Sequence, residues 1–104
     1  MDLLKLRPSQ DADVDFLPDL AVEAWRPVFA SFRALLGDDL FEVVYPEWQD
    51  DKRRQIASAC RAEHGAVVIV AELEGRPVGF VSYYLNHRTG VGEIGNNAVH
   101  PAYQ

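Results

Sequence analysis

The stretch that decides the fold is Val91-Gly-Glu-Ile-Gly-Asn-Asn-Ala-Val-His-Pro-Ala-Tyr-Gln104. Residues 91–99 are predicted to form a β-strand, in which side chains alternate between two faces. Gly95-Asn96-Asn97 are poor strand formers, and glycine inside a strand is typical of a bulge or of a place where a ligand or another backbone comes close. Pro101 has no N–H to give to a ladder, so the strand is predicted to end there.

Two further strands are predicted immediately before this one. Residues 66–73 are dense in branched apolar side chains, and residues 78–85 form the return strand of a hairpin. Turn residues lie between these strands at 74–77 and after them at 86–90. The sequence therefore predicts a three-strand antiparallel meander.

One short strand and several helices are predicted ahead of the meander. Leu3, Leu4 and Leu6 form the strand, which Pro8 ends. The first helix follows from about Asp15, with one apolar face formed by Leu17, Leu20, Ala21 and Ala24 and with Pro18 in its first turn.

Pro27 is predicted to break or restart that helix. A second apolar face follows and ends at Gly37; it consists of Val28, Phe29, Phe32, Leu35 and Leu36. A third helix is predicted to have Pro46 in its first turn, to run to about Glu63 and to be closed by His64-Gly65. Its expected inward residues are Trp48, Ile56, Ala59 and Cys60.

The final strand carries a family resemblance. Residues 93–104 resemble the fourth strand of the GNAT superfamily of acyl-CoA-dependent N-acetyltransferases, which ends in a Val-x-Pro-x-(Tyr/Phe)-Gln pattern. The hairpin over residues 70–80 is similar to the second and third strands of that family. The resemblance implies an α+β fold, the N-terminal half of a GNAT domain, in which one strand and helices precede the antiparallel meander.

In the GNAT family this strand runs into a Gly-rich loop, Gln/Arg-x-x-Gly-x-Gly/Ala, whose amides hold the CoA pyrophosphate at a helix N-terminus. The present sequence stops at Gln104, the residue that would open the loop. We therefore expect residues 1–104 to be a single, partial GNAT domain, truncated and inactive alone. A completing chain or a second copy is expected at the open edge of the last strand.

The resemblance also implies site residues. Glu93 stands where some members have a general base that removes a proton from the substrate amine through water; the alternative is a solvated glutamate on an open strand face. Backbone groups of Asn97, Ala98 and Val99 would pair with the pantetheine arm of acetyl-CoA, and one N–H would polarise the acetyl carbonyl. The alternative is that Ala98 and Val99 are core residues and that the asparagines form a turn.

The acidic, aromatic stretch over residues 38–51 falls where the family lines its acceptor pocket. Carboxylates there would hold an ammonium group, and Tyr45 or Trp48 would add a cation–π contact. The interpretation that we favour is a solvated acidic helix face with Trp48 in the core.

The composition argues against several classes of protein. A net charge of −6 argues against sequence-independent binding to nucleic acid and is compatible with cationic amines. No apolar run is long enough to span a bilayer, and the N-terminus lacks the features of a secretory signal. The single cysteine, Cys60, suits a reducing cytoplasm and is expected to be a small buried hydrophobe. The three histidines are scattered, so no metal site is predicted.

Three hypotheses follow. The first is an acetyl-CoA-dependent N-acetyltransferase that acts on an amine of a small molecule or peptide. The second is a non-catalytic interaction module that adds a partner strand to its open sheet edge. The third is a plain α+β domain whose likeness to the family is accidental.

Overall fold

The computed structural model describes residues 4–62 and 65–104. The elements in chain order are β1 (Leu4–Pro8), a 3₁₀ turn (Asp11–Asp15), α1 (Leu17–Leu36), α2 (Asp38–Val44), α3 (Trp48–Cys60), β2 (Val67–Leu73), β3 (Arg76–Asn86), β4 (Val91–Val99) and a second 3₁₀ turn (Pro101–Tyr103). The strands form one antiparallel sheet in the order β1-β2-β3-β4. The α+β class and the meander are confirmed; Leu3 of the first predicted strand lies outside the described residues.

One face of the sheet carries the core. Helices α1 and α3 pack on this face, and the buried cluster joins side chains of both layers: Leu17, Leu20, Ala21, Ile56 and Ala59 from the helices, and Val68, Val70, Phe80 and Ala98 from the sheet. The opposite face is uncovered within the described part of the chain. On that face Leu6, Ile94 and Val99 are exposed.

Helix α1 corrects the prediction made for Pro27. The helix is continuous through this residue, although an interior proline removes a hydrogen bond and costs about 3 kcal/mol. Pro27 lies on the exposed side. The following turn is anchored by Phe29, whose ring stacks on Trp48 at a centroid distance of 4.2 Å. Packing against α3 therefore offsets the cost of the proline. The helix ends at Gly37, as predicted, where φ is +80°.

The stretch over residues 38–51 also differs from the prediction. It contains a separate helix, α2, whose Phe41 is buried. Helix α3 begins at Trp48 rather than around Pro46, and it ends at Cys60 rather than near residue 63. Two of the four expected inward residues, Ile56 and Ala59, are buried, whereas Trp48 and Cys60 are half-buried. Residues 63 and 64 lie outside the described part of the chain.

Strand β1 is held to its neighbours by Arg7. The guanidinium donates to both carboxylate oxygens of Asp13, at 2.7 and 2.8 Å, and also to Glu72 on β2. Asp13 is 2% exposed, and it accepts the backbone N–H of Gln10 at 2.6 Å. The hydrogen bond from Arg7 holds the pKa of Asp13 below its usual range. Arg7 thus joins β1, β2 and the first turn.

None of the helices that the structure describes is long and apolar enough to cross a membrane.

Candidate active site

Strand β4 contains the bulge that its sequence predicted. Ser82 of β3 lies opposite Asn96, but the next β3 residue, Tyr83, lies opposite Ile94. Gly95 is therefore an extra residue with no partner on β3. A bulge of this kind bends the strand and increases its twist locally.

A buried serine completes the bulge. Ser82 is fully buried, and its Oγ accepts the backbone N–H of Asn96 at 2.9 Å. The same hydroxyl lies 3.5 Å from the Asn96 carbonyl oxygen, to which it donates. The hydroxyl thus replaces the backbone partner that the bulge removes. Sequence reasoning missed this role, because nothing local to Ser82 indicates the register of a strand that follows it in the chain.

Gly95 is required by its surroundings. A Cβ added there would lie 2.7 Å from Cε2 of Tyr84 and 3.0 Å from Oγ of Ser82. Contacts this short force one of the groups to move. The glycine therefore lets β4 approach β3 closely on the face that carries the helices.

Beyond the bulge, the ladder decides which backbone groups of β4 are available. His100 N–H donates to the Val78 carbonyl oxygen at 2.8 Å. Because hydrogen-bonded and non-hydrogen-bonded pairs alternate in an antiparallel ladder, Ala98 faces β3, whereas Asn97 and Val99 direct their N–H and C=O groups to the other edge. No strand lies on that edge within the described residues. The Val99 carbonyl accepts Nε2 of Gln104 at 3.0 Å.

The end of β4 borders an apolar cleft of about 610 Å³. Asn97, Ala98 and Val99 all line it, together with Trp25 and Val28 of α1. Ala98 is buried, while Asn97 and Val99 are exposed. The structure thus brings the three candidate cofactor-binding residues to one cleft.

Glu93 lies elsewhere on the same strand. It is exposed, pairs with Tyr84 across the ladder, and lines a separate hollow of about 770 Å³ beside the β3–β4 turn. Along β4 it stands roughly 10–13 Å from Asn97, at ~3.3 Å per residue. The structure therefore does not place Glu93 in the cleft of Asn97 and Val99.

A residue that sequence reasoning missed reaches the bulge from α3. Lys52 Nζ lies 3.3 Å from Oδ1 of Asn96, 3.3 Å from Oε1 of Gln55 and 4.2 Å from the ring centroid of Trp25. Burial lowers the pKa of this ammonium. No sequence signal could have linked Lys52 to Asn96, because only the fold brings these two residues together.

The acidic stretch agrees only in part with the interpretation that we favoured: its carboxylates are exposed, but Trp48 is half-buried rather than in the core. Trp48 is stacked on Phe29, and the Tyr45 ring meets Phe29 edge-on at 5.3 Å. Carboxylates of the stretch pair with arginines, as Asp50 does with Arg53 at 3.2 Å. Trp48 also borders two hollows of about 460 and 260 Å³, and Tyr45 borders the smaller one together with Glu42, Glu47 and Asp50. Within residues 4–62 and 65–104, no group of three His, Cys, Asp or Glu side chains could hold a metal ion.

Comparison with known proteins identifies the family. A model of the Acetyltransferase (GNAT) family matches residues 29–104, which include α2, α3 and the entire meander. The chain belongs to the GNAT family. A comparison with curated protein sequences finds no match to this chain.

Solved structures support the same fold. The PaiA N-acetyltransferase of Thermoplasma acidophilum, determined in complex with coenzyme A, has a TM-score of 0.69 at 15% identity, and the match covers 97% of this chain and 61% of that one. An acetyltransferase of Thermus thermophilus has a TM-score of 0.59 at 18% identity, with coverage of 100% and 62%. A possible acetyltransferase of Clostridium difficile 630 has a TM-score of 0.58 at 13% identity, with coverage of 99% and 61%. The GNAT chain described here thus spans about three fifths of the length of these structures.

Proposed function

We propose that residues 1–104 form a single, partial domain of an N-acetyltransferase that transfers an acetyl group from acetyl-CoA to an amine of a small molecule or peptide. One observation carries the proposal. Beside the Gly95 bulge, Asn97 and Val99 turn their backbone groups to an edge that has no strand among the described residues, and that edge borders an apolar cleft.

An extended acyl-CoA arm would suit this edge of the chain. The pantetheine arm carries amides that can pair with a strand edge as an added peptide strand would. Apolar side chains of Trp25 and Val28 line the adjoining cleft and would shield the arm from water. When bound, acetyl-CoA supplies the thioester that is attacked. The structural similarity to an N-acetyltransferase in complex with coenzyme A supports this cofactor class.

Asn97 is the proposed donor at the reacting carbonyl. Its backbone N–H points to the open edge, where it would stabilise negative charge that develops on the acetyl oxygen; a donor of this kind contributes about 3–4 kcal/mol. Val99 would pair with the arm farther along the strand. Ala98 has a different role, because its backbone faces β3; the buried residue contributes to the lining of the cleft.

Glu93 is the proposed general base. It shares the helix-facing side of β4 with Asn96. Their ladder partners, Tyr84 and Ser82, are two residues apart and therefore lie on the same face of β3. The separation from Asn97 requires that the carboxylate receive the amine proton through water rather than by direct contact. A solvent-exposed position is compatible with such a relay.

The remaining parts of the site are proposed to come from outside these residues. The pyrophosphate-binding loop would follow Gln104 in a longer chain or be supplied by a completing chain, and the 104-residue chain would be inactive alone. A reducing cytoplasm is the proposed compartment, since the single Cys60 offers no internal disulfide.

Calorimetric titration with acetyl-CoA tests this function. The titration is made on the 104-residue chain and, if the source encodes further residues, on a version extended past Gln104 with them. We expect tight binding by the extended version only, together with acetyl transfer to a panel of primary amines. Absence of binding by both versions, with folding verified by circular dichroism, would refute the proposal.

The second candidate is the interaction module. It is favoured by the open edge of β4, where Val91, Ile94 and Val99 are large and exposed. A partner strand would add to this edge by β-augmentation. Failure of the extended version to bind acetyl-CoA, combined with concentration-dependent association of the 104-residue chain in sedimentation, would favour this candidate over the enzyme.

A further inference from the structure

Lys52 differs from the other shielded cations of the described residues in having only neutral neighbours. Arg7, Arg33 and Arg53 are also partly buried, and each of them contacts two carboxylates. The recorded contacts of Lys52 are the amide oxygens of Gln55 and Asn96 and the ring of Trp25. Its positive charge is therefore solvated in part by the protein, but no carboxylate in the described part of the chain neutralises it.

This charge lies at the candidate site. Asn96, which holds Lys52, belongs to the bulge and directly precedes Asn97, whose backbone faces the open edge. Trp25, which lies against the ammonium, also lines the cleft of about 610 Å³. Among the described residues, Lys52 is thus the cation that contacts both Asn96 of the bulge and Trp25 of the cleft lining. The proposed acetyl group and its acceptor would meet beside these two residues.

A half-buried ammonium that has no counter-charge among the described residues can accept an anion. Burial has removed part of its hydration, which is the physical cause of the lowered pKa noted above. A carboxylate that approached would form a charge-assisted hydrogen bond, which is stronger than a bond between neutral groups. The net charge of −6 keeps free anions away from the protein as a whole, so the local cation would select for an anion delivered by a specific ligand.

We propose that Lys52 binds a carboxylate carried by the acceptor, so that the acceptor class is an amine that also bears a carboxylate. The inference rests on the proposed acetyltransferase function. Glu93 and Asn96 lie on the same side of β4, which would place the amine of the acceptor toward Glu93 and its carboxylate toward Lys52. A cationic acceptor without an acidic group would instead be repelled by Lys52. The substrate class therefore differs from the simple cationic amines that the acidic composition suggests.

The probes are 4-aminobutyrate and its amide, 4-aminobutanamide, which have the same amine and differ only in the carboxylate. Inorganic phosphate is a third probe, because phosphate groups of a cofactor share the anionic chemistry. Each is titrated into the 104-residue chain while the Trp25 indole N–H and the Asn96 side-chain amide are followed by NMR. The titrations are repeated on Lys52→Gln, on Lys52→Arg, and on Lys5→Gln, which removes the only other lysine and lies in exposed β1.

We expect 4-aminobutyrate to bind with a dissociation constant on the order of 10–100 mM, as one charge-assisted contact allows. The amide should bind at least about fivefold more weakly. This preference should disappear in Lys52→Gln and persist in Lys52→Arg and Lys5→Gln. Equal binding of acid and amide, a preference that survives Lys52→Gln, or binding of phosphate alone would each overturn the proposal, and so would the absence of any shift at ~200 mM probe.

This titration is independent of the acetyl-CoA test. A chain whose extended version fails to bind acetyl-CoA, but which retains the Lys52-dependent preference, would refute the enzyme and leave the carboxylate site intact. The opposite pair of results would refute the carboxylate site alone.

Discussion

The Ser82 hydroxyl takes the place of a backbone partner for Asn96, whose N–H it accepts at 2.9 Å. The extra residue Gly95 displaces β4 by one position, and the buried hydroxyl satisfies the backbone group that this displacement would otherwise leave unpaired. The hydrogen bond therefore fixes the bulge and, with it, the direction in which the following Asn97 presents its N–H.

Ser82→Ala should destabilise the chain by about 1–3 kcal/mol, because it leaves the backbone N–H of the half-buried Asn96 without its hydrogen-bond partner. Urea denaturation measures the loss, and hydrogen exchange at the Asn96 amide should accelerate. Ser31→Ala, at an exposed position of α1, is the matched control and should change stability by less than about 0.5 kcal/mol. Equal stability of the two variants would mean that the hydroxyl does not hold the bulge.

Gly95→Ala should also destabilise the chain, by about 1–3 kcal/mol, because the new Cβ meets Tyr84 and Ser82. Gly92→Ala is the control on the same strand, where the nearest contact of an added Cβ is 3.4 Å. In a double-mutant cycle with Tyr84→Leu, the combined loss should be smaller than the sum of the single losses, since the shorter side chain makes room. Strict additivity would contradict the steric account.

The Asp13–Arg7 pair should make stability depend on acid. Arg7 lowers the pKa of Asp13 in the folded chain, so the unfolded chain binds the proton more readily. The pair's contribution is therefore complete above the ordinary carboxyl pKa of about 4 and is lost as the pH falls through the lower, folded value.

Denaturation between pH 7 and pH 2 should show a smaller loss of stability for Asp13→Asn than for the original chain. Asp11→Asn, which removes an exposed carboxylate of the same turn, is the control and should retain the original pH dependence. Identical curves for the original chain and Asp13→Asn would refute the role of the pair.

Cys60 should react slowly with thiol reagents. Burial raises the pKa of its thiol to about 11, so at pH 8 the thiolate fraction is roughly two orders of magnitude below that of a free cysteine. Iodoacetamide labelling followed by mass spectrometry should therefore be at least about 100-fold slower in the folded chain than in urea. Comparable rates in the two conditions would show that the thiol is accessible and ionises normally.

The sequence predicted those features that depend on neighbouring residues. Branched apolar residues and turn residues identified β2 and β3, alternation identified β4, and the run of Gly95, Asn96 and Asn97 identified the bulge. The continuity of α1 through Pro27 was not predictable in this way, because packing of Phe29 on Trp48 overrides a local rule. Helix α2 was missed because its acidic residues were assigned to an acceptor pocket or to a single helix face. Its signal is Asp38 and Asp39 in the first turn, ahead of apolar residues.

The candidate site was predicted only where a motif carried it. The positions of Asn97, Ala98 and Val99 followed from the family pattern, but their division into two edge-facing residues and one β3-facing residue required the register. Ser82 and Lys52 are separated from Asn96 by 14 and 44 residues, so only the tertiary structure reveals their contacts with it.

The central claim is that the outer edge of β4 at Asn97 and Val99 holds the pantetheine arm. The most direct test is an NMR titration of the 104-residue chain with S-acetyl-pantetheine, which contains the arm and the thioester but no pyrophosphate. We expect amide shifts that are concentrated at Asn97 and Val99 and are weaker at Ala98, whose N–H faces β3. Shifts confined to the hollow at Glu93, or shifts of equal size along the whole sheet, would contradict it.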